Sequence, residues 1–344
     1  METHTATVGK TIIGADHPVA VQSMYDRPVG KDIDSVIEKL CTLKAMGCDI
    51  FRFTYCDRND AAALKQICLR SPMPLVADIH FDYNMALEAL DLGFDAVRIN
   101  PGNIGAKYKT LEVVKKARDL GRCIRIGLNS GSLPKNEKGL SQHEIMTRTA
   151  LEYIDWFESE GFFNTVVSLK SSDPEETYLA AKAFAENSGY PQHLGVTEAG
   201  SVISSVVRGT WTLGRLLENG IGATIRYSIN GPIESEVQAG VELLRTLGLR
   251  QGGVRIIACP RCGRYSFDSE GFLAQVEPQL LTSGKSACVA FMGCQVNGPG
   301  EARNADLAVT GIGNAIFLYR KGELYRKVDK ENALEAFWEA FGQL

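Results

Sequence analysis

Nine cysteines occur among 344 residues, and three of them near the C-terminus carry the strongest chemical signal. Cys259-Pro260-Arg261-Cys262 brings two thiolates close together, Met292-Gly293-Cys294 supplies a third, and Asn297-Gly298-Pro299-Gly300-Glu301 follows. A Cys-x-x-Cys pair plus a Cys on a distant turn is a metal-site pattern. A four-cysteine zinc site would need Cys288. The run Ala287–Met292 reads as a strand, which separates Cys288 from Cys294 by about 20 Å at roughly 3.3 Å per residue. Zinc ligands lie about 2.3 Å from their ion, so Cys288 is excluded. Three cysteines instead suit a [4Fe–4S] cluster with one distinct iron, open to substrate or held by an oxygen donor. Glu301 is the nearest carboxylate able to reach back, and Asp306 is a poorer one. The Cys-x3-Cys-x2-Cys spacing of radical enzymes is absent. Cys41, Cys48, Cys68, Cys123 and Cys288 read as small buried hydrophobes, and Cys56 follows a strand end.

A second constellation emerges from strand parity. Alternate residues of a strand face one side. In Ala96-Val97-Arg98-Ile99-Asn100 the apolar Val97 and Ile99 face one way, so Arg98 and Asn100 face the other. The same count turns Arg52, Arg125, Asn129, Ser168, Lys170, Arg226 and Ser228 inward, with Asp78, His80 and Glu198. Five cations then meet only two carboxylates, Asp78 and Glu198. Unpaired buried charge costs several kcal/mol. A polyanion, most simply a diphosphate, is the natural partner. His80 and Glu198, at strand ends, are candidates for proton transfer, although a lone inward His is more often a structural hydrogen-bonder.

These residues need a frame that brings strand ends together. Strands are expected at Val19–Met24, Asp49–Thr54, Pro74–His80, Ala96–Pro101, Cys123–Asn129, Thr165–Lys170, Leu194–Glu198 and Ala223–Ile229, with a helical pattern after each. Gly47, Gly93, Gly121, Gly161, Gly189, Gly220 and Gly248 follow seven of the helices as C-terminal stops. Eight strand–helix repeats imply an α/β fold, a (β/α)8 TIM barrel over residues 1–250, with active-site residues at the C-terminal strand ends. Past Gly252 the pattern changes. Five short strands, a turn at Lys321-Gly322-Glu323 and a terminal amphipathic helix form a smaller α+β iron–sulfur cluster domain over residues 251–344.

Net charge of −4 argues against nucleic acid or a membrane surface as the main partner. Met1 to Gly9 lacks an apolar signal core, no apolar run approaches the roughly 20 residues of a membrane span, and the cysteine usage suits a reducing cytoplasm.

Several motifs carry a family resemblance: Pro18–Met24, Asp78–Phe81, Arg98–Asn103, Arg125-Ile126-Gly127 with Asn129, Gly195–Gly200, Thr224-Ile225-Arg226 with Ser228, Cys259–Arg264 and Gly293–Ala302. Together they resemble the 4-hydroxy-3-methylbut-2-enyl diphosphate synthases of the methylerythritol phosphate route to isoprenoids, across nearly the whole chain. The resemblance implies [4Fe–4S] held by Cys259, Cys262, Cys294 and Glu301. It implies a cyclic methylerythritol diphosphate substrate, opened and dehydrated by two electrons from flavodoxin or ferredoxin. It implies diphosphate binding by Arg52, Arg98, Arg125, Lys170 and Arg226, with Asn100, Asn129 and Ser228 nearby, and a catalytic carboxylate at Glu198 with Asp78 and His80 in the pocket. Tyr25–Val29 and Thr54–Asp57 depart from the family pattern. The alternatives are a pterin-type barrel transferase with structural zinc and an iron–sulfur redox protein with another substrate.

A homodimer is also expected. The eighth helix, about 22 Å long at 1.5 Å per residue, runs away from the cation-lined mouth. The linker Gly248–Gly253 reaches only about 21 Å. A second, head-to-tail subunit would therefore present its cluster domain to the mouth, and the resemblance implies the same assembly.

Overall fold

The computed structural model describes residues 3–344 except 134–138, 261, 295–299, 301 and 302. Glu301, the expected oxygen ligand, lies outside the described residues. The chain forms two compact units, Met1–Arg250 and Gln251–Leu344.

The first unit is the expected parallel barrel. Its strands are β3 (Ala20–Met24), β4 (Ile50–Thr54), β5 (Leu75–Asp78), β6 (Ala96–Ile99), β7 (Cys123–Asn129), β8 (Thr165–Lys170), β9 (His193–Leu194) and β10 (Thr224–Ile225). Sequential strands pair from β3 to β8, and β10 lies between β9 and β3. A parallel bridge between Val167 and Gln192 joins β8 to the residue before β9 and completes the ring. Helices pack outside through Phe51, Phe53, Val97, Ile99, Ile124, Ile126, Val167 and Ile225, all of which belong to one buried apolar core. That is the outward parity the alternation implied. Six of the seven stop glycines take positive φ, but Gly189 does not.

The sequence pattern did not reveal β1 (Thr5–Val8) and β2 (Thr11–Gly14), an antiparallel hairpin. Its Ala6, Val8 and Ile13 pack with Ala20, Ile50, Val76, Ala96, Cys123, Val166 and Ala223. Those residues begin the barrel strands, so the hairpin forms an apolar plug at that end. On β3 to β8 polar side chains two residues further along, Gln22, Arg52, Asp78, Arg98, Arg125 and Ser168, lie above it.

The second unit is a five-stranded sheet, β11 (Val254–Ala258), β12 (Ala287–Phe291), β13 (Leu307–Ile312), β14 (Ala315–Arg320) and β15 (Glu323–Asp329), paired in chain order. The first three run parallel and the last two antiparallel. Positive φ at Lys321 and Gly322 makes the expected hairpin turn. Helices Ser269–Leu281 and Ala333–Gly342 contribute Phe272, Val276, Phe337 and Phe341 to the core of this unit. The helix Ser269–Leu281 was not expected; Pro278 inside it disguises its pattern. Among the described residues no helix is long and apolar enough to cross a membrane.

Candidate active site and metal centre

The lumen cations stand where parity placed them. Arg98 and Arg125 are register partners on adjacent strands, as are Asp78 and Arg98. Parallel strands lie about 4.8 Å apart, and two unit charges at that spacing repel by roughly 3 kcal/mol at an effective dielectric of 20. Local counter-charge covers only part of this. Asp78 is buried and takes Arg98 Nη1 at 3.1 Å on Oδ1, with Arg52 Nε at 3.6 Å from Oδ2. Burial opposes Asp78 ionisation, but Arg52, Arg98 and Arg125 outweigh it and hold the carboxyl below its usual range. Arg98 also donates to the Gly127 carbonyl at 3.0 Å. A Cβ at Gly127 would lie 2.0 Å from Arg98 Nε, so a glycine is required for that guanidinium to lie against β7.

Arg125 is buried, donates through Nη1 to Gln22, and leaves Nε without a partner. Lys170 is 5% exposed, and among the described residues no carboxylate pairs with it. Burial first, then Arg125 and Arg52, push the Lys170 ammonium well below its ordinary range. Burial likewise depresses Arg125, and brings Arg52 down to about 10. Buried donors left over after all local pairing are what an anion site requires.

The second counter-charge is not Glu198. That residue is exposed, has φ of +53°, and forms no ion pair among the described residues. Strand β9 leaves its ladder after Leu194, so alternation no longer fixes where Glu198 points. Glu236 takes the counter-charge role. It is 4% exposed on the helix Ile233–Thr246 and receives Arg226 Nη2 and Nε at 2.8 and 3.1 Å. His80 is half exposed, its Nε2 3.9 Å from Asp78 Oδ2. Asn100 is buried; its side chain caps the short helix Pro101–Ile104 by accepting from Gly102 N–H at 3.1 Å. Asn129 is the register partner of Lys170, and Ser228 is half-buried two residues beyond Arg226.

Sequence reasoning also missed Met24, Gln22 and His193. Met24 Sδ accepts from Arg52 Nη2 at 2.8 Å and Nε at 3.1 Å. His193 is fully buried, with Nδ1 2.6 Å from Thr224 Oγ1 and Nε2 without a partner. Burial, then Lys170 and Arg125, drive its pKa well down, so the ring is neutral. Inward parity of Gln22 and Met24 was available from the β3 sequence. Neither carries charge, which hid them.

In the second unit the expected ligands sit at strand ends. Ala258 and Phe291 are register partners on parallel β11 and β12, so Cys259 and Cys294 leave the same edge of the sheet. Cys259 N–H donates to the Phe291 carbonyl at 3.1 Å, and Gly293 N–H donates to Cys259 Sγ at 3.3 Å. Cys262 is exposed and starts a turn closed by Tyr265 N–H at 3.0 Å. Ser266 N–H then reaches the Gly293 carbonyl at 2.9 Å, tying the two cysteine segments together. Among the described residues no three donors surround one point as a single metal ion would need. A four-iron cluster gives each cysteine its own iron, and amide-to-sulfur hydrogen bonds such as that from Gly293 favour a thiolate ligand. The three cysteines fit such a cluster. Cys288 lies within β12, Cys48 and Cys123 are buried as expected, and Cys41 is exposed where burial was expected, on the helix Ile33–Met46 whose buried side is Val36, Leu40 and Leu43.

A closed parallel barrel whose lumen cations outnumber their carboxylate partners among the described residues, followed by a small sheet unit with three of its four cysteines in the loops after β11 and β12, defines a two-unit barrel enzyme for an anionic substrate. Residues 3–241 match the profile of the GcpE TIM-barrel domain, and residues 255–343 that of the GcpE protein C-terminal domain. The chain is 41% identical to the 4-hydroxy-3-methylbut-2-en-1-yl diphosphate synthase (flavodoxin) of Treponema denticola, over 95% of this chain and 91% of that one. The same-named protein of Maridesulfovibrio salexigens is 43% identical, covering 98% and 95%. The chain belongs to the GcpE family. A solved structure of dihydropteroate synthase from Xanthomonas albilineans with 7,8-dihydropteroate aligns at a TM-score of 0.53 and 13% identity, over 71% of this chain and 97% of that one. That likeness is one of barrel fold alone.

Proposed function

We propose that this protein is an oxidoreductase of isoprenoid biosynthesis that converts 2-C-methyl-D-erythritol 2,4-cyclodiphosphate to 4-hydroxy-3-methylbut-2-enyl diphosphate. The observation that carries the reading is the lumen: four arginines and a lysine against Asp78 and Glu236, in a chain whose relatives along its whole length bear that enzyme's name. The reaction takes up two electrons and two protons, opens the ring at a carbon–oxygen bond to phosphate, and releases one water.

The barrel residues act on the diphosphate. Among the described residues Arg125 Nε has no partner and Lys170 has no carboxylate beside it, and Arg52, Arg98 and Arg226 add charge around them. Asn100, Asn129 and Ser228 supply neutral hydrogen bonds at the strand ends. The diphosphate becomes the leaving oxygen when the ring opens, and guanidiniums stabilise the charge that develops there. Glu198 at the mouth is assigned to proton transfer or to orienting the departing hydroxyl, with His80 and Asp78 beside the pocket.

Cys259, Cys262 and Cys294, with Glu301 as the oxygen ligand, would hold a [4Fe–4S] cluster. When bound, it supplies one-electron reducing equivalents and an oxygen-binding iron. A flavodoxin or a ferredoxin serves as electron donor, in a reducing cytoplasm, to a homodimer arranged head to tail.

The test is anaerobic. Reconstituted protein should carry about four irons per chain and turn over the cyclic diphosphate with a reduced flavodoxin, giving the linear diphosphate. Stoichiometric zinc without iron, or no turnover of this substrate by iron-loaded protein, overturns the reading.

A further inference from the structure

Glu236 is a lumen carboxylate that belongs to no strand. It reaches in from the helix Ile233–Thr246, near its first turn, and is 4% exposed. Both of its oxygens are committed. Oε1 accepts from Arg226 Nη2 at 2.8 Å and from Ile229 N–H at 3.1 Å. Oε2 accepts from Arg226 Nε at 3.1 Å and from Ser23 Oγ at 2.6 Å. Four donors from three segments therefore meet on one carboxylate: β3, the residue following β10, and the loop beyond it.

The bidentate grip has a directional consequence. It takes the Nε and Nη2 edge of Arg226 and leaves Nη1, whose one hydrogen-bond partner among the described residues is Met24 Sδ at 3.8 Å. A thioether is a weak acceptor. An arginine free to rotate could turn any edge to a ligand. One held this way presents a single preset donor, and a planar guanidinium gripped on one side loses little further freedom on binding. The bond to Ile229 N–H also fixes the loop that carries Ser228. The same segment is tied by Ser205 Oγ to the Ser228 carbonyl at 3.0 Å and by Asn230 N–H to the Gly200 carbonyl at 2.9 Å.

We propose that Glu236 is a positioning residue for the anion pocket: it sets the free edge of Arg226 and the Ser228 loop for a diphosphate. It touches no substrate and acts through Arg226. This inference rests on the diphosphate reading above.

The test separates reach from charge. Glu236→Asp keeps the negative charge but withdraws the carboxylate by one methylene, so it cannot serve all four donors. Inorganic pyrophosphate binding is measured by calorimetry on the full-length, iron-loaded protein, for the parent, Glu236→Asp, Arg226→Met and the double variant, with thermal melts of each. Glu236→Asp should weaken pyrophosphate binding about tenfold, the loss of one charge-assisted hydrogen bond. In the Arg226→Met background the same change should cost clearly less affinity, only what the Ser228 loop contributes, while still lowering the melting temperature. Ser23→Ala, which removes one donor and no charge, should give a smaller loss of the same kind and guards against a Glu236→Asp chain that does not fold. Unchanged affinity in both variants, or equal losses with and without Arg226, overturns the positioning role and leaves the function standing. A parent protein that binds no pyrophosphate overturns both.

Discussion

At the scale of single residues, Lys170 shows how this pocket exchanges stability for binding. Its ammonium is buried, without a counter-ion among the described residues, and its pKa lies well below the ordinary lysine value. A base whose folded pKa lies below its unfolded one favours the unfolded state wherever the unfolded chain is protonated. The penalty is fullest below the folded pKa and disappears as pH rises through the unfolded one. Lys170→Met should therefore stabilise the free protein at neutral pH, each kcal/mol being worth roughly 2–4 °C for a chain of this size. The same change should weaken pyrophosphate binding. A bound phosphate reverses the sign at this lysine by favouring the ammonium, so binding above its free-state pKa takes up a proton. Calorimetry in buffers of different ionisation heat should detect that uptake in the parent and not in Lys170→Met. A destabilised Lys170→Met with unaltered proton uptake would contradict the assignment.

At the scale of elements, the barrel strands are built in layers, and glycine decides how closely the cations can lie to the wall. The first inward layer is apolar and plugged by the β1–β2 hairpin; the next carries Gln22, Arg52, Asp78, Arg98 and Arg125. Gly127→Ala would set a Cβ 2.0 Å from Arg98 Nε and 2.9 Å from its Nη2. Arg98 must then leave the Gly127 carbonyl and disturb its bond to Asp78. The barrel core on the outer side of β7, Ile124, Ile126 and Leu128, is untouched. The expected outcome is a folded protein, with barrel circular dichroism preserved, whose pyrophosphate affinity falls by about tenfold or more, as for loss of a charged hydrogen bond. Affinity equal to that of the parent would show that Arg98 does not need this berth. The same element view explains what the sequence made legible. Period-two alternation on β4 to β8 placed Arg52, Asp78, Arg98, Arg125 and Lys170 because those strands are long enough to hold register. It failed for Glu198, where β9 has ended after two residues. Glu236 stayed hidden because an acid in the first turn of a helix reads as a solvated partner of the helix dipole. Only the tertiary approach of Arg226 and Ser23 makes it a lumen residue. The hairpin was missed because its two short strands precede the strand–helix repeat that marked the barrel strands and have no helix between them.

At the scale of the whole molecule, the proposed reaction needs chemistry from both compact units: an anion pocket in residues 1–250 and the cysteines in residues 251–344. In the proposed head-to-tail dimer, one chain's cysteines would serve substrate in another chain's barrel. Complementation decides between cis and trans. Arg125→Ala chains should lack substrate binding and Cys259→Ala chains should lack the cluster, so each homodimer should be inactive. Mixed under conditions that let subunits exchange, a head-to-tail heterodimer places both lesions in one site and none in the other. With random pairing half the dimers are mixed and half the sites in each are intact, so activity should return to about a quarter of the parent's. Sites built within single chains would each retain one lesion, and no activity would return. Size-exclusion chromatography and native mass measurement on the same mixture should show dimers, including the mixed species; a monomer that turns over substrate at full rate would remove the need for a partner chain altogether.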